Sequence, residues 1–196
     1  ADLSAFAAYG NSPLYTNVGQ ATAWSMQRLN GLARLADRQD PVMTTERGWN
    51  ETQGFDQASV AKYLVQAALD GIKEGNPKTY FYALFDDGSG RFGLMNSDGS
   101  AKLAGTALHN LTALFADSTP NAASFATGSL SYGLSGTTAN DNSLLMEKSD
   151  GSSWLSLWNE TDAPHSVTLT LDAAPAAWVF TSPACLSAVP SAPGPP

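Results

Sequence analysis

The sequence Pro41-Val-Met-Thr-Thr-Glu-Arg-Gly-Trp49 passes from apolar to charged residues within a few positions. Residues 41–45 have the apolar and β-branched composition of a short buried strand. Glu46 closes this run, and a loop follows it. The stretch therefore predicts a strand whose carboxyl end carries a glutamate next to an arginine and an indole.

Helical patterns lie on both sides of this strand. Residues 19–38, 56–74 and 102–115 repeat apolar side chains at helical spacing, and Asp56 is placed to cap the second helix. Between the last two helices, residues 78–85 form an aromatic-rich run that predicts another strand. We expect the second and third helices to bury one apolar face each, formed by Val60, Leu64, Ala67, Ala68 and Ile72 and by Leu108, Leu111 and Phe115.

The order helix, strand, helix, strand, helix is typical of parallel strands joined by crossover helices. Residues 3–9 fit the end of one more strand. So few parallel strands cannot cover their own edges and faces. A complete eight-fold barrel needs about 250 residues. We therefore interpret residues 1–118 as part of a larger α/β unit.

The remainder of the chain changes to a period of two. Turn-forming residues at 117–121 mark the boundary. From there, Ser149-Asp150-Gly151 predicts a hairpin turn between two strands. The pattern predicts a small antiparallel β-sandwich over residues 124–184 and a Pro-rich tail over 185–196. The candidate strands are residues 129–134, 143–148, 153–159, 166–172 and 176–181.

Composition narrows the possible partners. The net charge is −8 and the pI is about 4.5, so the chain lacks the basic stripe of a nucleic-acid-binding protein and is not expected to bind anionic membranes. Cys185 is the single cysteine, so no intrachain disulfide forms. Two histidines and one cysteine do not predict a zinc site, and we expect neither a metal nor a cofactor. The low charge with many small polar residues is typical of a secreted or periplasmic protein.

Glu46 has the chemistry to react with a sugar. Active residues of α/β barrels lie at the carboxyl ends of strands. A carboxylate there can attack an anomeric carbon or stabilise an oxocarbenium ion. Arg47 would keep it ionised, and Trp49 would offer a flat face to a sugar ring. The alternative is a solvated glutamate at a strand end, with Trp49 in the core.

Aromatic residues on two predicted strands allow two interpretations. Tyr80 and Tyr82 share one face of their strand, which lines a sugar cleft or packs inside a barrel. Trp154 and Trp158 alternate on a later strand, where they form a sugar-stacking platform or, more often, sandwich core.

These motifs in this order resemble the last part of a retaining glycoside hydrolase barrel of the large (β/α)8 clan. The resemblance implies that Glu46 closes strand seven as the nucleophile, and that Phe92-Gly-Leu-Met-Asn-Ser-Asp-Gly-Ser-Ala-Lys102 leads into helix eight. It implies the last two to three β/α units of the barrel, followed by the β-sandwich that often accompanies such barrels. The implied activity is retaining O-glycosyl hydrolysis of a poly- or oligosaccharide. The matching segments are residues 41–49, 78–87, 92–102 and 107–111.

A retaining mechanism needs a second carboxyl group about 5–5.5 Å from the first. In the clan this group belongs to an Asn-Glu pair that ends strand four, far upstream of strand seven. We therefore expect the acid/base to come from a missing N-terminal segment or from a second copy that completes the barrel. Asn50-Glu51 and Asn159-Glu160 are weaker candidates, because they fall in a loop and in a turn of the β half.

A different class of function remains open on the sequence. A non-catalytic carbohydrate-binding or lectin-like fragment also fits a chain that lacks a second credible acid. Binding of glycans without hydrolysis would distinguish it from an enzyme.

Overall fold

The structure, a computed structural model, describes residues 43–172 except 74, 77, 89 and 161–163. The strands expected at residues 3–9 and 176–181, the helix expected at 19–38 and the tail at 185–196 lie outside the described residues. The elements in chain order are β1 (Thr44–Arg47), a 3-10 turn (Glu51–Gln53), α1 (Gln57–Lys73), β2 (Thr79–Phe81), α2 (Leu103–Phe115), β3 (Tyr132–Ser135), β4 (Asp141–Glu147), β5 (Ser153–Asn159) and β6 (Thr168–Leu171).

Strands β1 and β2 pair in parallel, and α1 is the crossover between them. Arg47 lies opposite Phe81, and the Tyr82 N–H donates to the Arg47 carbonyl at 2.8 Å. The predicted second strand, residues 78–85, is too long at its carboxyl end. The chain leaves β1 there because Ala83 bonds instead to the backbone of residues 92 and 94. The predicted β-α-β order is nevertheless confirmed.

Helix α1 begins where its sequence predicts. The Asp56 carboxylate accepts a hydrogen bond of 2.7 Å from the Ser59 N–H, which is the geometry of a helix N-cap. The expected inward position of Ile72 is wrong, because its side chain is 48% exposed. Gly71 takes the buried position next to Thr79, and Ile72 points about 100° away from it around the helix. The buried residues of α1 include Val60, Leu64, Ala67 and Gly71, whereas Ala68, expected to face inward, is half-buried.

Helix α2 packs on α1 through small residues. Ala104, Ala107 and Leu111 are buried at helical spacing, whereas Leu108 and Phe115 are half-buried. The α2 backbone comes so close to the preceding loop that a Cβ on Gly105 would lie 2.4 Å from the Leu94 carbonyl oxygen. Together with Trp49 and the apolar face of α1, these alanines form the hydrophobic core.

Beyond α2 the described chain forms antiparallel pairs. Strands β4 and β5 form a hairpin in register from Asp141 opposite Asn159 to Glu147 opposite Ser153. The expected turn is confirmed, with Gly151 at φ 84° and its N–H bonded to the Lys148 carbonyl at 3.0 Å. Strands β3 and β6 form a second antiparallel pair. The described residues are therefore mixed α/β followed by small antiparallel sheets, and they do not close a barrel among themselves.

Polar contacts join the two parts of the chain. The Gln66 amide on α1 donates to the Asn159 carbonyl at 2.6 Å, and the Lys73 ammonium donates to Asn142 at 2.7 Å. Near the end of α2, the Asp117 carboxylate accepts a 2.7 Å bond from the N–H of Ser149 in the hairpin turn. We call the region where α1 meets the β4–β5 hairpin the seam, and hydrogen bonds connect the two elements there.

Candidate functional site

Glu46 is an exposed residue near the carboxyl end of β1. Its neighbour Arg47 is largely buried and Phe81 on β2 packs against the core, while the register of the two strands shifts between Thr44 and Arg47. Glu46 and Tyr80, each one residue earlier in its strand, are exposed, Tyr80 by 51%. The two parallel strands therefore each present one exposed side chain with chemistry to offer, a carboxylate on β1 and a phenol ring on β2.

Arg47 occupies the opposite side of β1. Burial lowers the pKa of its guanidinium to about 10, against the opposing effect of the negative charges of Asp70 and Glu160. Its guanidinium carbon also lies 5.3 Å from the centre of the Trp49 ring. The negative charges that act on Arg47 are thus those of Asp70 on α1 and of Glu160. Its predicted contacts with Glu46 and substrate stay predictions, and its placement favours anchoring of β1.

Trp49 is 3% exposed and forms part of the core. Its ring lies 5.6 Å from that of Tyr63 on α1, at an angle of 47°. Of the two interpretations that the sequence left open, this burial matches the core interpretation. The indole stabilises the turn after β1, immediately beyond Glu46.

Tyr82 lies at the end of the other strand and is half-buried. Its hydroxyl donates to Asp87 at 3.1 Å, and its ring meets that of Phe92 edge to face at 5.4 Å. Tyr82 therefore has partners within the loop after β2, whereas the side chain of Tyr80 is exposed. A substrate-binding role stays a prediction for both.

A cluster of oppositely charged side chains around the buried Lys102 joins the loops after β1 and β2. The Lys102 ammonium, 1% exposed, lies 2.6 Å from the Glu51 carboxylate and 2.7 Å from the Asp86 carboxylate. Arg91 adds contacts of 3.1 Å to Glu51 and 3.7 Å to Asp86. We call these four residues the loop cluster. Sequence reasoning missed it, because oppositely charged residues up to 51 positions apart leave no local pattern.

The loop cluster shifts the titration of Asp86. Burial alone would raise its pKa, but hydrogen bonds from Lys102 and Gly93 and the positive charges of Lys102 and Arg91 together lower it. The same cluster holds Glu51, one of the two weaker candidates for a second catalytic carboxyl. Its carboxylate contacts the Lys102 ammonium and the Arg91 guanidinium, so it is engaged within the loop cluster.

The other weaker candidate, Glu160, lies at the seam. It is 6% exposed, and its carboxylate accepts hydrogen bonds from Trp158 at 2.7 Å and from Asn142 at 3.3 Å. The Trp158 indole also donates to Asp70 on α1 at 3.1 Å, whereas the Trp154 indole donates locally to Ser152 at 3.1 Å. The two indoles therefore have different surroundings, although they alternate on one strand.

Among the described residues, no group of three or more His, Cys, Asp or Glu side chains could hold a metal ion. No helix in that part of the chain is both long and apolar enough to cross a membrane. No protein-family model matches the chain, and no match is found among curated proteins.

Proposed function

We propose that the chain is the C-terminal portion of a retaining glycoside hydrolase that cleaves O-glycosyl bonds of a poly- or oligosaccharide. The observation that carries the proposal is the position of Glu46. It is the penultimate residue of a parallel strand and is exposed, and the neighbouring parallel strand carries the exposed ring of Tyr80. Parallel barrels carry catalytic groups at the carboxyl ends of their strands.

The proposal extends to the architecture. Residues 1–118 would contribute the last two to three β/α units of a (β/α)8 barrel, and residues 124–184 a β-sandwich built from the two antiparallel pairs. A two-stranded parallel sheet is unusual alone, because parallel sheets are normally covered on both faces. Further β/α units, from an upstream segment or a second copy, would cover exposed apolar side chains on and beside this sheet: Met43, Leu84 and Phe85.

In the proposed mechanism the Glu46 carboxylate attacks the anomeric carbon and the leaving group departs with a proton from a second carboxylic acid. Water then hydrolyses the glycosyl ester on Glu46, with the second group acting as base. Glu51 and Glu160 are committed to other contacts, as described above. The acid/base would therefore come from outside these 196 residues, and Tyr80 would contact the sugar. The acidic, weakly charged composition supports a secreted or periplasmic location.

Two variants of Glu46 test the proposal in the whole natural polypeptide that contains these residues. We expect Glu46→Gln to lower kcat for aryl glycosides on the order of 10³-fold or more, because no nucleophile remains. Glu46→Ala opens space for azide, which should restore turnover and give a glycosyl azide of inverted configuration. Asp98→Asn, at an exposed turn, is the matched control. Glu46→Gln with most of its activity would rule out the nucleophile role.

A second candidate is carbohydrate binding without hydrolysis. It is favoured by the engagement of Glu51 and Glu160, the two candidates for a second acid, in other contacts. A glycan array with this chain tests it: binding without hydrolysis, weakened by Tyr80→Ala, supports a binding module. No binding to any glycan would reject it.

A further inference from the structure

A second group of buried charges lies at the seam, away from Glu46. It consists of Arg47 on β1, Asp70 on α1, and Trp158 and Glu160 at the end of β5, and we call it the seam cluster. Asp70 is 4% exposed and Glu160 is 6% exposed. The proposed glycosidase chemistry uses neither carboxyl group.

One N–H group serves both carboxyl groups. The Trp158 indole N–H lies 3.1 Å from an Asp70 oxygen and 2.7 Å from a Glu160 oxygen. The other Asp70 oxygen, Oδ2, is buried and has no hydrogen-bond partner. A buried carboxylate normally has several donors, because losing water is costly for a charge. Asp70 is therefore poorly placed to stay ionised.

The charges of the seam cluster do not balance when both carboxyl groups are ionised. Two carboxylates then face the Arg47 guanidinium, which leaves one negative charge in excess. Among the described residues, Lys73 also lies near the cluster, but it is exposed; it bonds to Asn142 and lies 5.7 Å from the centre of the Trp158 ring. One proton on the carboxyl pair makes the buried group neutral, which removes most of the burial cost.

The titration of Asp70 follows from this geometry. Burial raises its pKa to about 7, with further increases from the negative charge of Glu160 and a hydrogen bond with it. The Trp158 hydrogen bond and the charge of Arg47 lower it only in part. The folded value thus lies above the ordinary value of 3.8.

The seam cluster joins two parts of the chain that are otherwise linked by polar contacts. Asp70 belongs to α1, and its two partners Trp158 and Glu160 belong to the end of β5. Interfaces of this polar kind between parts of one chain allow relative motion. We propose that the seam between α1 and the β4–β5 hairpin is a proton-operated latch, in which the Asp70–Glu160 pair takes up one proton on closing and releases it on opening.

The direction of the pH effect is fixed by the sign of the shift. A carboxyl group with a raised pKa in the closed form contributes stability that is fully present below its open-form value. That contribution is lost progressively as pH rises, until the closed-form value near 7 is passed. The seam is therefore held tightly near pH 5 and weakly above pH 8.

Hydrogen exchange of the full chain tests the latch. We expect the seam peptides of α1 and β5, corrected for intrinsic exchange rates, to lose protection roughly tenfold or more between pH 5 and pH 8. Asp70→Asn keeps a neutral side chain of the same shape, so its seam should stay protected across this range. Asp98→Asn removes an exposed carboxyl group and should behave as the wild type.

Two outcomes would overturn the latch: seam protection of the wild type that does not change with pH, or an unaltered pH dependence in Asp70→Asn. Should that variant fail to fold, the carboxyl carbon of Asp70 can be titrated by NMR in the folded wild-type chain. A midpoint near 7 supports the latch, and a midpoint below 5 rejects it.

Discussion

Replacing Lys102 by methionine removes the ammonium that joins the loops after β1 and β2. The side chain is 1% exposed, and its nitrogen lies 2.6 Å from Glu51 and 2.7 Å from Asp86. Methionine has a similar length and no charge, so the packing of the aliphatic stem is largely kept. The change therefore isolates the loss of the buried positive charge.

The expected loss in the free energy of unfolding is about 3 kcal/mol at pH 7. Removing one partner of a buried ion pair typically costs about 3–5 kcal/mol, because the other charge is left uncompensated. Arg91 still contacts both carboxylates, but it is 53% exposed and such pairs contribute only about 0–1 kcal/mol. These two effects place the loss at the lower end of the range.

The loss in free energy of unfolding caused by Lys102→Met should also depend on pH. In the wild type the pKa of Asp86 is lowered, so its contribution is present above the unfolded value and lost as pH falls through the folded value. The variant lacks most of this contribution. The difference between the two proteins should therefore narrow below about pH 4.

Urea unfolding followed by far-UV circular dichroism measures the effect. With a slope of about 2 kcal/mol per M, a loss of about 3 kcal/mol moves the midpoint down by about 1.5 M. Lys78→Met, at an exposed lysine, is the control, and adding Asp86→Asn to Lys102→Met should recover part of the loss. A loss below about 1 kcal/mol, or an equal loss in the control, would refute the structural role of the loop cluster.

Two further substitutions test packing and the seam. Gly105→Ala should destabilise the chain by about 1–3 kcal/mol, although alanine normally stabilises a helix, because the added Cβ meets the Leu94 oxygen at 2.4 Å. Thermal melts should show this against Thr106→Ala, an exposed change in the same helix; a stabilised Gly105→Ala would contradict the close approach. Trp158→Phe removes the N–H shared by two buried carboxyl groups and should cost about 1–3 kcal/mol. Trp154→Phe, which loses only a local bond, should cost less, and equal losses would count against the seam contacts.

Local signals predicted much of the described fold. Asp56 marked the start of α1 because a helix cap is formed by residues three positions apart. The Asp150-Gly151 turn predicted the hairpin for a similar reason, since glycine tolerates the positive φ found there.

The rest depended on contacts between distant residues. Helical spacing predicts that Ile72 is buried, but Gly71 takes that position against Thr79. Spacing alone does not determine which side of a helix packs against a partner. The second strand ends early because residues 92–94 return beside Ala83. The seam cluster pairs Asp70 with a glutamate 90 positions later, a separation at which sequence periodicity holds no information.

Covalent trapping tests the role of Glu46 most directly. A 2-deoxy-2-fluoroglycosyl fluoride forms the glycosyl ester of a retaining enzyme but slows its hydrolysis, so the labelled residue can be found by peptide mass spectrometry. In the whole natural polypeptide, we predict one sugar on the peptide that contains Glu46, and no label in Glu46→Gln. A label on another carboxyl group, or hydrolysis with inversion and no label, would contradict the assignment of Glu46 as the nucleophile.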